Sequence, residues 1–291
     1  MIKYNSIADI VALANKNGQK ISQLILEQQA QSMERSEEEV YAEMEQSFDV
    51  MAASVEEGID PHMRSTSGLT GGSAYLMKCA VDSGKSLCGK MFGNALARAL
   101  AVSELNAAMG RIVAAPTAGS CGIIPAAVFS LMEERSLAKE DCVMSLFTAS
   151  GVGMVIANNA SLAGAEGGCQ AECGSASAMA AAALVELAGG TPVMASHAVA
   201  IALKNILGLV CDPVAGLVEI PCIKRNAGGV ANALCAAELA LAGITSAIPA
   251  DEVIVAMKRV GDLMPQTLKE TSEGGLAMTP TGRALLKKVF G

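Results

Sequence analysis

Nine of the 291 residues are cysteine, and an odd count excludes complete internal disulfide pairing. Cys169, Cys211 and Cys222 lie in Gly- or Pro-bearing stretches, outside apolar runs. A thiolate in such a loop can bind a metal or act as a nucleophile, whereas a cysteine in an apolar run behaves as a small hydrophobe. Cys169 and Cys173 are four residues apart, which puts both thiols on one face if the stretch is helical. Cys211 and Cys222 enclose Pro213, Gly216 and Pro221. No C-x2-C pair occurs, so zinc-ribbon and ferredoxin spacings are absent. Spacing alone therefore leaves a metal site and ordinary thiols both open. Cys79, Cys88, Cys142 and Cys235 have apolar or Ala-rich neighbours and read as buried packing residues.

Two further stretches are rich in hydroxyls and glycine: residues 64–73, with Ser65, Ser67 and Gly68, and residues 116–122, with Thr117 and Gly119. Loop N–H groups and hydroxyls bind carboxylates well. Neither stretch matches a dinucleotide or P-loop fingerprint, and plain turn chemistry explains the same composition. His62 sits in the first loop. His197 falls inside an apolar helical stretch and reads as a core histidine. Lys224-Arg225-Asn226 follow Cys222 closely and either face solvent or bind an anion. Glu166 and Glu172 flank Cys169, where a carboxylate can hold an ammonium or cap a helix.

These residues need a scaffold, and the composition describes one. The chain is 52% hydrophobic, 17% charged and 3% aromatic, with a net charge of -8. That hydrophobicity excludes wholesale disorder, and the acidic balance excludes a nucleic-acid surface. Abundant Ala favours closely packed helices, and the scarcity of aromatic residues opposes a β-sandwich. Helices are expected over 6–16 and 20–35, followed by one opened by the capping box Ser36-Glu37-Glu38-Glu39. Val40, Met44, Phe48, Met51 and Val55 form its apolar stripe, and Gly58 is expected as its left-handed cap. Further helices are expected over 74–82, 88–109, 125–134, 138–161, 175–188, 192–207, 226–243, 250–263 and 281–289, with short strands possible within 209–220.

Residues 142–165 carry no charge and are long enough to cross a membrane, yet contain Ser, Thr, Asn and three Gly. They read as a buried helix that has no solvent face. The expected fold is mainly α: a multi-helix bundle around a buried Ala-rich central helix, with the cysteine loops converging at one end. Residues 1–57 form an N-terminal helical segment packed on the core, and 58–291 the main domain. No secretory leader is recognisable, so the cytoplasm is expected, where thiols stay reduced.

RSTSGLTGG (64–72), APTAGSCGIIPA (115–126), GAEGGCQAECGSASAMAAAALVELAGG (164–190) and GLVCDPVAGLVEIPCIKRNA (208–227) resemble the iron–sulfur-dependent L-serine dehydratases. The resemblance covers about residues 60–245, and the length resembles their separate α subunit. It implies a [4Fe–4S] cluster held by Cys169, Cys211 and Cys222, with Cys169 matched by the G-C-Q-x-E pattern and Cys173 only a neighbour. It implies one iron without a thiolate, acting as a Lewis acid while water is eliminated from L-serine to give pyruvate and ammonia. Pyridoxal phosphate is not needed. Ser65, Ser67, Gly68, Thr117 and Gly119 are the expected substrate-binding residues. The family's Ser/His segment of the SSSHT kind is absent, which implies a separate β subunit that carries the base, with His62 as the fallback in this chain. No nucleic-acid or membrane partner is expected. Two alternatives stay open: an L-cysteine desulfidase-like lyase on the same cluster, and a non-catalytic helical metal-binding protein.

Overall fold

The computed structural model describes residues 4–291. Helices α1 (Ile7–Asn17), α2 (Ile21–Met33) and α3 (Glu37–Gly58) are followed by α4 (Ser73–Asp82), α5 (Gly89–Ala107), α6 (Ile123–Arg135) and α7 (Lys139–Asn159). Then come the short α8 (Gly164–Gly167), α9 (Ser175–Leu187), α10 (Pro192–Asn205), α11 (Cys222–Leu241), α12 (Ala250–Leu263) and α13 (Pro280–Phe290). Among the described residues there is no β-strand, and residues 209–220 form a short 3₁₀ turn at Val214–Gly216 in place of the strands considered from sequence. A single parallel bridge, Cys211 with Lys269, is the only β pairing among the described residues.

Several helix starts follow directly from side-chain chemistry. Ser36 accepts from the Glu39 N–H while Glu39 accepts from the Ser36 N–H, the reciprocal capping box. Thr191 caps α10, with Pro192 at the first helical position, where its missing N–H is no loss. Glu104 on α5 is buried and accepts from the N–H groups of Ser73 (2.9 Å) and Ala74 (3.1 Å). It thereby caps α4 and fixes the end of the loop at 59–72.

At the centre is α9, in which every residue from Ser175 to Val185 is buried. Helices α6, α7, α10 and α11 pack around it. Six of those eleven residues are Ala and two are Ser, so neighbouring backbones come close with few large side chains between them. Helix α7 is long and apolar enough to cross a membrane by length and composition, but 67% of its apolar window is buried inside the protein. One apolar core runs from Tyr4 and Ile7 to Met257, so α1–α3 share it with the rest of the chain.

Three sequence expectations need correction. Gly58 ends α3, but not as a left-handed cap: a Cβ there would lie 2.2 Å from the Ala101 carbonyl oxygen of α5. Glycine is required by helix contact, not by backbone handedness. Helix α11 starts at Cys222, four residues before the expected 226. Of the cysteines read as buried packing, only Cys142 is buried; Cys79, Cys88 and Cys235 are exposed. Small apolar neighbours hid the helix face. Cys235, for example, shares the outer face of α11 with exposed Glu238, while Ala233, Ala236 and Ala237 turn inward.

The elements that carry the conspicuous loops meet at one end of the bundle. They are the start of α9, the turn between α10 and α11, the start of α6 and the segment after α12.

Gly58→Ala is expected to destabilise the fold by about 1–3 kcal/mol, the cost of forcing an extra carbon into a packed interior. Chemical denaturation would show this as a lower midpoint with an unchanged slope.

Candidate metal centre

Cys169 is delivered by an unusual turn. Gly168 precedes it at φ 77°, a left-handed conformation that glycine tolerates, and Gln170–Gly174 then form one π-helical turn. Such turns recur at functional sites because they re-aim side chains. The buried Gln170 holds the turn in place. Its Nε2 donates to the carbonyls of Gly167 (2.9 Å) and Met257 (3.0 Å), and its Oε1 accepts from the Gly208 N–H (2.9 Å). The Cys169 turn is thus tied to α12 and to the chain leading toward Cys211.

Cys211 is held by its backbone. Its N–H donates to the Leu268 carbonyl (2.8 Å), and its carbonyl accepts from the Glu270 N–H (2.7 Å). Cys222 is the first residue of α11. On the same helix, buried Asn226 donates to the carbonyls of Gly119 (2.8 Å) and Cys222 (3.0 Å) and accepts from the Gly122 N–H (2.9 Å). It couples the 116–122 loop to the Cys222 end of α11.

The sulfurs of Cys169 and Cys211 and a carboxylate oxygen of Glu172 all lie within 4.8 Å of one another. Glu172 Oε2 is 3.9 Å from Cys169 Sγ, and Glu172 Oε1 accepts from the Thr117 hydroxyl at 2.9 Å. A Cβ on Gly164 would sit 2.7 Å from Glu172 Oε2 and 3.0 Å from Cys211 Sγ, so only glycine leaves that space. Cys222 is buried beside this trio but is not part of it.

The charge distribution is uneven. Hydrogen bonds from the Cys173 and Cys211 thiols, reinforced by the adjacent Arg225 guanidinium, pull the Cys169 thiol down to about 3 despite its burial. Cys173 and Cys211 are pushed up because their protons serve Cys169 and because both are desolvated. Burial, then the charges of Cys169 and Glu172, raise Cys222 to about 12. Burial and the Cys169 charge raise the Glu172 carboxyl to about 7. The geometry gathers buried cysteines beside one carboxylate and one guanidinium, and cysteine sulfurs bind soft metals or iron–sulfur groups once deprotonated.

The other expected site residues divide. Thr117 reaches Glu172 through its hydroxyl, and Gly119 reaches Asn226 through its carbonyl. Ser65 and Ser67 spend their hydroxyls inside their own loop: Ser65 Oγ accepts from the Thr70 N–H (3.2 Å), and Ser67 Oγ from the Leu69 N–H (3.1 Å). Gly68 lies at the exposed tip, its N–H on the Ser65 carbonyl (2.9 Å). This loop reaches the Cys222 side through Thr70, whose hydroxyl donates to buried Glu219 at 2.6 Å. His62 is exposed, and among the described residues its ring makes no hydrogen bond. His197 is half-buried and accepts from the Ser246 N–H at 3.3 Å. Glu166 faces solvent and accepts from Ser161, so only Glu172 of the two flanking acids joins the centre.

Gln170, Asp212 and Glu219 carry roles that the sequence reading did not assign, and it left Arg225 and Asn226 ambiguous. A signal existed for the last two. Once α11 starts at Cys222, residues 225 and 226 fall three and four positions on, over the Cys222 face, and Lys224 points outward.

The family model for the serine dehydratase alpha chain matches residues 16–277. Over 288 residues the chain is 50% identical to the probable L-serine dehydratase, alpha chain, of Bacillus subtilis, covering 99% of this chain and 96% of that one. It is 46% identical over 281 residues to the L-serine dehydratase, alpha chain, of Peptoniphilus asaccharolyticus, covering 97% and 96%. The L-serine dehydratase of Streptomyces coelicolor is 40% identical over 278 residues, which are 93% of this chain but 60% of that protein.

Asn226→Ala would strand the Gly122 N–H and the Gly119 carbonyl near the centre. A loss of about 1–3 kcal/mol is expected from those unmade bonds, measurable as a lower unfolding midpoint with helix content retained by circular dichroism.

Proposed function

The chain belongs to the serine dehydratase alpha-chain family, and from that premise we propose that it is the catalytic α subunit of an L-serine dehydratase, a cytoplasmic lyase that uses an iron–sulfur cluster and a separate β subunit. The observation that carries this reading is the meeting of Cys169 and Cys211, from distant segments, with Glu172, and the bond from Arg225 on the Cys222 helix to the Cys169 sulfur. No imidazole enters the set, and soft sulfur donors suit an iron–sulfur group. Cys169, Cys211 and Cys222 would hold it, while Cys173 stays a hydrogen-bonding neighbour of Cys169.

Such a cluster supplies Lewis-acid assistance to departure of the substrate hydroxyl. The remaining work falls to side chains. Glu172, oriented by Thr117, offers a carboxylate to the substrate ammonium. The 116–122 loop, braced by Asn226, places its polar groups beside that carboxylate. The 64–72 loop approaches from the Cys222 side, through Thr70 and Glu219. L-Serine loses its Cα proton and its β-hydroxyl as one water, and the resulting enamine tautomerises and hydrolyses to pyruvate and ammonia. The base is assigned to the β subunit, because exposed His62 stands apart from the cysteines in the hydrogen-bond network. The Streptomyces relative, of which this chain covers 60%, has room for such a partner region in one polypeptide.

Anaerobic iron and sulfide analysis of the chain purified with its partner, followed by pyruvate and sulfide assays, tests the reading. Pyruvate from serine supports it; sulfide from cysteine with no pyruvate from serine assigns the desulfidase activity instead. A colourless, iron-free preparation after anaerobic reconstitution would leave only a non-catalytic helical protein.

Cys169→Ala, Cys211→Ala and Cys222→Ala are each expected to lose cluster absorbance and activity, whereas Cys173→Ala keeps the absorbance. Glu172→Gln is expected to raise KM for L-serine about 10- to 100-fold, the range of a lost charge-assisted hydrogen bond, with iron content unchanged.

A further inference from the structure

One side chain touches all three cysteine segments. Arg225 stands on the first turn of α11, three residues after Cys222. Its Nη1 donates to the Val210 carbonyl (2.8 Å) and to Cys169 Sγ (3.4 Å), and its Nη2 donates to Asp212 Oδ1 (2.8 Å). Val210 and Asp212 are the residues on either side of Cys211, so the guanidinium holds both neighbours of that cysteine, one by its carbonyl and one by its carboxylate. Among the described residues it is the only cationic side chain hydrogen-bonded to a sulfur.

The grip is itself braced. Asp212 is buried, and its second oxygen accepts from the Leu276 N–H at 2.7 Å. Ser272 donates to the Pro213 carbonyl at 2.7 Å, so the segment after α12 is fastened to the same turn. A planar fork is needed to satisfy a carbonyl, a carboxylate and a sulfur together; an ammonium on a flexible stem carries the charge but not the geometry. Neither the ion pair nor the sulfur contact is needed to start α11, whose first turn is held by backbone bonds from Ile223 to Glu219 and from Arg225 to Pro221.

Resting on the cluster reading above, we propose that Arg225 is the positioning residue of the centre: its fork locks Cys169 and the Cys211 turn to the Cys222 helix, and its charge bears directly on the Cys169 sulfur. Partners outside the ligand shell set ligand orientation, and hydrogen bonds to ligating sulfur tune a cluster's potential.

The test uses the full chain with its partner subunit, reconstituted anaerobically with iron and sulfide, as wild type, R225K, R225Q and D212N. Three quantities are read: iron release to a chelator, the cluster midpoint potential, and thermal melting. All three variants are expected to release iron about 10- to 100-fold faster than wild type. R225Q moves the potential to more negative values, because a positive charge and a sulfur hydrogen bond are gone. R225K, which keeps the cation and alters no other charge, stays near the wild-type potential, whereas D212N, which removes a buried negative charge, moves it to more positive values. A merely structural arginine would shift melting and leave the potential of R225Q unchanged, and that result overturns the proposal. So does R225K releasing iron as slowly as wild type. If R225Q fails to fold, iron release from R225K and D212N decides by the same criterion. A wild-type chain that takes up no cluster brings down the functional reading as well, whereas a stable cluster in every variant brings down this inference alone.

Discussion

Sulfur and polar groups enclosed at one end of an apolar interior are the constraint that organises this molecule: Cys169, Cys211 and Glu172 lie together, and each must find its partners inside the protein. The protein takes water away from the Cys169 sulfur and must supply other partners. It supplies the thiols of Cys173 and Cys211 and the guanidinium of Arg225. Each partner needs its own support: the π-turn and Gln170 for Cys173, the pairing with residues 268–270 for Cys211, and Asp212 for Arg225. Glu172 joins the same enclosure as a second acid, and Thr117 orients it.

The scaffold answers a different demand, that these parts arrive from distant places with little freedom. A bundle built on the Ala wall of α9 brings helix ends together at short range, because small side chains let backbones approach. The same economy appears at Gly58 against α5 and at Gly164 against Glu172 and Cys211, where one extra carbon has no room. Large side chains dominate elsewhere, as in the Phe48–Phe129 contact between α3 and α6, with ring centroids 4.8 Å apart. The site end is tight and polar, and the opposite demands are met in different layers.

Most of the helices were legible in the sequence because their signals are local. Ser36 with Glu39, and Thr191 with Pro192, announce their helices through interactions that span only a few residues. Gly58 was legible as a boundary but not in its reason, since the contact with Ala101 lies far along the chain. The outer placement of Cys79, Cys88 and Cys235 was hidden for a different cause: apolar neighbours do not say which side is wet, and Cys79 and Cys235 lie on the outer faces of α4 and α11 while Cys88 lies in the turn before α5. At the site, loop composition and family resemblance singled out the cysteines, Thr117 and Gly119. The sequence did not reveal that Ser65 and Ser67 use their hydroxyls within their own loop, nor that Arg225 turns inward. Those outcomes depend on where neighbouring segments settle, and no short-range pattern records that.

Cys211 does not stand on its own loop. Its amide and carbonyl are bracketed by Leu268 and Glu270, and the adjacent Asp212 is bracketed by Leu276. The backbone that completes this corner lies more than fifty residues downstream of Cys211. During synthesis, when chains fold from the N-terminus onward, the cysteine-bearing turns emerge well before the segment that closes around them. The thiol corner is therefore closed only after residues 268–276 have been added.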